Sequence, residues 1–325
     1  MSGKTVCLGE TMAQVTPADG EGLERSRELR LTVAGAESTV AQYLADLGHE
    51  TAWVSRVGDD PFGRRIVAAV ASRGVRVDGV RADPAAPTGV YFKDPGPDGT
   101  RVHYYRAGSA ASRMTSADAD RVDLTDVRLL HLTGITPALS DSCAALVDTL
   151  VQRAAAGGTL VSFDVNYRPA LWSSREAAAD ALLALARRAD VVLVGRDEAE
   201  TLWDTATAED VRDHLAPRAT RTPRAPRATR TSRGILVVKD GDVGATEFAD
   251  GGSEFVAAPA VDVVEAVGAG DAFAAGYLSG LLGGVAPAER LALGHRLAGR
   301  TLRSIEDYVP ATDPGTRPDT TGEGR

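Results

Sequence analysis

Short apolar runs rich in Val, Leu and Ile alternate with alanine-rich helical stretches along most of this chain, and that alternation is what most constrains its fold. The runs cover residues 6–9, 51–57, 129–132, 160–164, 191–194, 235–239 and 261–264, with helical stretches at 39–47, 63–73, 142–156, 177–188 and 272–282. Strand–helix alternation with short links predicts a mostly parallel sheet covered by helices on both faces. Such sheets bind ligands at the carboxyl ends of their strands, so functional residues are expected just after each run. At 325 residues there is material for one large α/β domain or two small ones.

Three segments interrupt the pattern. Residues 27–33 and 88–106 alternate like half-exposed strands, the second folding back at 94–99 (DPGPDG). They are expected to form a small antiparallel appendage, a β-sheet lid built from about residues 11–34 and 86–112. Residues 216–233 carry an arginine at every third position from 218 to 233, interleaved with Pro, Thr and Ala. This reads as a solvated low-complexity insertion in a surface loop, or as an extended ridge that attracts an acidic partner. The tail 311–325, rich in Pro, Thr, Gly and charge, is expected to be disordered.

Charge and cysteines bound the function class. A net charge of −9 and a pI near 5.2 argue against a general nucleic-acid or anionic-membrane binder. Cys7 and Cys143 lack metal-type spacing and read as buried thiols in a reducing compartment. With no signal-type h-region and no uninterrupted apolar span, a cytoplasmic protein is expected.

The richest chemistry lies in residues 261–273, VDVVEAVGAGDAF. The apolar run 261–264 reads as a buried strand, and Gly268-Ala269-Gly270 as a turn opening a helix at Asp271. A helix start presents unpaired N–H groups and the positive end of its dipole, which suits an oxyanion or phosphate. An aspartate there would repel a phosphate, but it makes sense as the base that takes a proton from an attacking hydroxyl. An aspartate that merely caps the helix is the plainer alternative.

With these motifs in place, the chain resembles the ribokinase-like (PfkB) carbohydrate kinases over nearly its whole length, residues 1–310. One signature spans Ala34-Gly35-Ala36-Glu37-Ser38-Thr39-Val40-Ala41, Gly48 and Val57-Gly58-Asp59-Asp60-Pro61-Phe62-Gly63; the other is Gly268–Phe273. The resemblance implies a three-layer α/β/α sandwich and ATP-dependent phosphorylation of a sugar hydroxyl with Mg2+. In that reading Asp271 is the general base, and Gly268, Ala269 and Gly270 form the anion hole. Lys239, Gly241 and Gly244, in a turn after a strand, resemble the nucleotide side. Glu198, in the place of an Asn-x-x-Glu motif, would hold magnesium through water. A homo-oligomer through the lid is left open. Three positions depart from the family pattern: Thr39 and Gly195 each replace an asparagine, and Glu265 replaces an aspartate that in some relatives helps bind a monovalent cation.

The acceptor is suggested by arginines. Alternation places Tyr104 and Arg106 on one face of a strand, and Arg168 follows the run 160–164 at the ligand edge of the sheet. Guanidinium groups suit a carboxylate, through forked hydrogen bonds, better than a neutral hexose. These segments resemble 2-keto-3-deoxygluconate kinases more than ribokinases or fructokinases. The resemblance implies a sugar acid bound by Gly35, Tyr91, Tyr104, Arg106 and Arg168 and phosphorylated on its terminal hydroxyl. The alternatives are another sugar (fructose, a C4 epimer, a related keto-deoxy sugar acid) or an inactive metabolite-binding protein.

Overall fold

The structure, a computed structural model, describes residues 4–97, 99–215, 234–249 and 252–310. The arginine-rich stretch 216–233 and the tail 311–325 lie outside the described residues. The chain begins β1 (Lys4–Leu8), β2 (Met12–Pro17), β3 (Leu29–Ala34), α1 (Ala36–Asp46), β4 (Thr51–Val54), β5 (Arg56–Gly58) and α2 (Pro61–Ala71). There follow β6 (Arg81–Asp83), β7 (Val90–Asp94), β8 (Arg101–Tyr105), β9 (Val127–Thr133), α3 (Ile135–Ala138), α4 (Asp141–Gly157) and β10 (Leu160–Asp164). Next come α5 (Arg175–Ala186), β11 (Val191–Gly195), α6 (Arg196–Trp203), α7 (Ala208–Leu215) and β12 (Ile235–Asp240). The last elements are β13 (Gly244–Ala249), β14 (Gly252–Ala257), α8 (Ala269–Gly283) and α9 (Pro287–Leu302).

The main sheet has the order β14-β13-β12-β11-β10-β9-β1-β4. From β12 to β4 every pairing is parallel, whereas β12–β13 and β13–β14 are antiparallel. Alternate residues of the central strands feed two cores. Val161, Phe163, Val192, Val194, Leu236 and Val238 join the core with α4–α7 residues such as Leu150, Leu182, Leu202 and Val211. Leu160, Val191, Leu193, Ile235 and Val237 join the opposite core with Leu44, Ile66, Tyr277 and Leu291 from α1, α2, α8 and α9. Burial on both faces explains why these strands read as continuous apolar runs. The result is the three-layer α/β/α sandwich with a mostly parallel central sheet. Cys7 and Cys143 are free and buried, and no helix among the described residues is long and apolar enough to cross a membrane.

The small sheet has the order β3-β2-β7-β8. Its two antiparallel pairs, β2–β3 and β7–β8, are joined by a parallel β2–β7 pairing. The run 51–57 divides between β4 of the main sheet and β5, which pairs with β6.

One expectation is overturned. Residues 261–264 are not a buried strand but part of a loop, with Val263 and Val264 each 61 % exposed. The edge of β12 is taken by the β13–β14 hairpin, and the run pairs with no strand among the described residues. Its backbone turns instead to α9, where Val264 N–H and Glu265 N–H donate to Leu302 O at 2.8 and 3.3 Å. A short apolar run records local hydrophobicity, not whether a pairing edge is free.

Candidate active site

Parallel register brings the ends of neighbouring strands to one edge. Asp164 ends β10 opposite Thr133 of β9, and Gly195 ends β11 opposite Lys239 of β12. Above this edge Gly268 caps α8 with φ 87°, a left-handed conformation that favours glycine. A Cβ there would also lie 2.8 Å from Asp307 Cα. The Gly270 and Asp271 N–H groups belong to the first turn, before helical carbonyls are in place to accept them. The helix starts at Ala269, two residues earlier than the sequence suggests.

The site is a knot of acids and bases. Asn166 Nδ2 donates to Asp271 Oδ1 at 3.2 Å, and its Oδ1 is buried with no partner among the described residues. Asn166 has φ 38°, in the region that asparagine tolerates better than most residues. Lys239 Nζ donates to Asp164 Oδ2 at 2.7 Å and Oδ1 at 3.1 Å. It also stands 3.7 Å from where a Cβ on Gly270 would be, so the lysine borders the helix start. Burial lowers the proton affinity of Lys239, but the charges of Asp164 and Glu198 outweigh it and leave the ammonium more firmly protonated than usual. Burial raises the Asp271 carboxyl to about 7; Asp164 adds to the rise, while Arg168 and Lys239 oppose it. A carboxyl poised near neutrality can accept a proton during a reaction and release it afterwards.

Glu198 turns inward from the start of α6. Its Oε2 accepts the Gly195 N–H at 2.8 Å and its Oε1 the Tyr167 N–H at 2.9 Å, tying α6 to the loop that carries Arg168. Gly195 needs no side chain for this, because Glu198 itself satisfies the helix start. Burial raises the Glu198 carboxyl, Lys239 lowers it and Asp164 raises it. No cluster of three or more metal-ligating side chains occurs among the described residues. Two neighbouring carboxylates, Asp164 and Glu198, suit magnesium, which keeps several waters and binds partly through phosphate oxygens.

Four of the residues singled out for the sugar, Gly35, Tyr91, Tyr104 and Arg106, lie at or beside the small sheet. Tyr91 and Tyr104 sit opposite each other in the β7–β8 ladder with ring centroids 5.6 Å apart, and the Arg106 guanidinium lies 5.6 Å from the Tyr104 ring. The Tyr91 hydroxyl is shared between Gln14 Oε1 at 2.9 Å and Asp307 Oδ2 at 3.2 Å. Gly35 precedes α1 where a Cβ would fall 2.4 Å from Glu10 O, so the close approach of these segments requires glycine. Arg106 is buried and ion-paired with Glu10, whose other oxygen accepts from Ser109 Oγ at 2.5 Å. Arg168 is different. It is exposed, donates to Tyr167 O at 3.1 Å, and has no ion-pair partner among the described residues. Gly241 and Gly244 shape the β12–β13 turn, with φ 51° and 152°.

Asp164, Asn166, Glu10 and Asp307 escaped the reading of the sequence. Asp164 had a usable signal, a carboxylate at the carboxyl end of a parallel strand. The others enter through loops and a segment far away in the chain, which no local pattern marks.

The sequence pattern described as "pfkB family carbohydrate kinase" matches residues 2–313. A 2-dehydro-3-deoxygluconokinase of Thermoproteus tenax is 36 % identical over 89 % of this chain and 85 % of its own length. A 2-dehydro-3-deoxygalactonokinase of Haloferax volcanii is 35 % identical over 90 % of this chain and 89 % of its own. Among solved structures, a PfkB protein from Polaromonas sp. JS666 superposes with a TM-score of 0.81 at 34 % identity, over 94 % of this chain and 97 % of that one. A match that spans nearly the whole chain, on a parallel α/β sandwich with its acidic site at the strand ends, places this protein in the pfkB family of carbohydrate kinases.

Proposed function

We propose that the chain transfers the γ-phosphoryl group of ATP to the terminal C6 hydroxyl of 2-dehydro-3-deoxy-D-gluconate. The observation that carries this reading is the pairing of a base with a free cation. Asp271, with its carboxyl near neutrality at a helix start, senses the charge of Arg168, which forms no ion pair among the described residues. A sugar acid satisfies both: its carboxylate meets the guanidinium and its far hydroxyl meets the base. Tyr91, Tyr104 and Gly35 would line the sugar's path, with Arg106 held by Glu10 as a polar wall.

In this reading Asp271 takes the hydroxyl proton as the oxygen attacks the phosphorus. The amides of Gly268 and Gly270 stabilise the charge on the moving phosphoryl group, whereas the Ala269 N–H already donates to Ala266 O at 3.3 Å. Lys239 steadies Asp164 and adds positive charge beside Gly270, while the Gly241–Gly244 turn supports the nucleotide. Magnesium, held by Glu198 and Asp164 with its waters, would neutralise phosphate charge.

The relative from Haloferax volcanii favours a second reading, in which the C4 epimer is the acceptor. Purified protein is to be tested with MgATP against both keto-deoxy sugar acids, fructose and ribose. The gluconate-derived acid is expected to show the highest kcat/KM. A clear preference for the epimer would replace the first reading by the second, and a preference for fructose would remove both.

A pH profile adds an independent check. With the Asp271 carboxyl at about 7, kcat/KM for the acceptor should fall about tenfold per unit below that pH, because the protonated acid cannot accept the hydroxyl proton. A profile that stays flat from about pH 8 to about pH 5.5 would assign proton removal to another group.

A further inference from the structure

Strand β7 carries a lysine where its alternation points into the molecule. Lys93 is 1 % exposed. Its Nζ donates to Asp307 Oδ1 at 2.8 Å and Ile305 O at 3.3 Å, and lies 3.8 Å from Glu265 Oε2. A buried ammonium is tolerated only when paired and hydrogen-bonded, and these oxygens come from two segments remote from β7 in sequence.

Both segments support the start of α8. Glu265 Oε1 accepts the N–H groups of Ala266 and Val267 at 2.9 and 3.2 Å, immediately before Gly268. Asp307 backs Gly268 so closely that a Cβ there would lie 2.8 Å from Asp307 Cα. Tyr91, two residues before Lys93 and on the same face of β7, also reaches Asp307. The ammonium therefore ties the sugar-side strand to the loop that presents the helix-start amides.

This arrangement bears on the monovalent cation that the family resemblance associates with an aspartate at the place of Glu265. Two carboxylates and a carbonyl would form a suitable oxygen set for such an ion. Here the Lys93 ammonium already stands among them, and a second cation beside it would meet like charge in a buried setting. The residues do not fit an exchangeable ion.

We propose that Lys93 is a positioning residue, a tethered cation that does the work of a bound monovalent ion. It holds residues 264–268 and 305–307 together so that the amides of Gly268 and Gly270 face the transferring phosphoryl group. The proposal rests on the reading of that helix start as the anion hole.

The test compares wild type with Lys93→Met in N-methylglucamine buffer, with about 100 mM KCl or an equal concentration of choline chloride to match screening. Wild-type kcat should agree within about twofold between the two salts, and Tm should not rise specifically with potassium. Lys93→Met should lose about tenfold or more in kcat, with acceptor KM changing less. Potassium or ammonium, but not choline, should raise both its kcat and its Tm. Should that variant fail to fold, Lys93→Gln, which keeps a donor and drops the charge, carries the same comparison. Potassium-specific activation and a potassium-specific Tm rise in the wild type would overturn the proposal, and so would a folded, uncharged variant with wild-type kcat in choline. Melting needs no acceptor, so this arm stands or fails independently of the substrate assignment.

Discussion

Replacing Asp271 with asparagine should cut kcat by about 100-fold or more, since general-base contributions run to about 10²–10⁴. The amide keeps the size and the helix-start position of the side chain but cannot take a proton. Asn166 Nδ2, which donates to Asp271 Oδ1, can still donate to the amide oxygen, so the fold and the affinity for ATP should hardly change. The loss should reside in kcat, and the acidic limb of the pH profile should vanish with the carboxyl that causes it. Steady-state kinetics with both substrates varied, together with a melting curve, checks this. A variant that retains wild-type kcat would reduce Asp271 to a cap on α8.

Changing Arg168 to lysine should raise KM for the sugar acid by roughly 10–150-fold. That range corresponds to the roughly 1.5–3 kcal/mol of a charge-assisted hydrogen bond. Lysine keeps the charge but loses the planar fork that matches a carboxylate. Arg168 has no ion pair to lose among the described residues, so the substitution should cost little stability. KM for ATP should hardly move, and weak activity on a neutral sugar should be far less sensitive. Equal losses on acidic and neutral acceptors would make Arg168 a structural support and remove the strongest argument for a sugar acid.

Both predictions depend on residues that stand out in the sequence for physical reasons. Asp271 follows a glycine turn that suits a helix start, and Arg168 follows an apolar run that reads as a strand ending at the ligand edge of a parallel sheet. The same logic makes the sandwich itself legible. Strands buried on both faces must be apolar throughout, and parallel neighbours must be joined by helices. The small sheet is legible too, because β7 and β8 alternate on either side of a turn rich in Pro and Gly.

Charge partners are a different matter. Arg106 and Arg168 look alike in the sequence, yet only the first has its charge consumed, by Glu10 in the turn after β1. Lys93 reads as an ordinary strand lysine until the segment after α9 brings Asp307 to it. The valines at 263 and 264 read as core until their backbone turns to the end of α9 and leaves both side chains exposed. Local periodicity and turn chemistry act over a few residues, so the sequence by itself determined most of the elements, the parallel sheet and, to within two residues, the helix start that carries Asp271. Electrostatic pairing and the occupancy of sheet edges depend on which distant segments meet. Only the tertiary structure therefore decided which arginine stayed free, which lysine was buried, and how near neutrality the carboxyl of Asp271 came to rest.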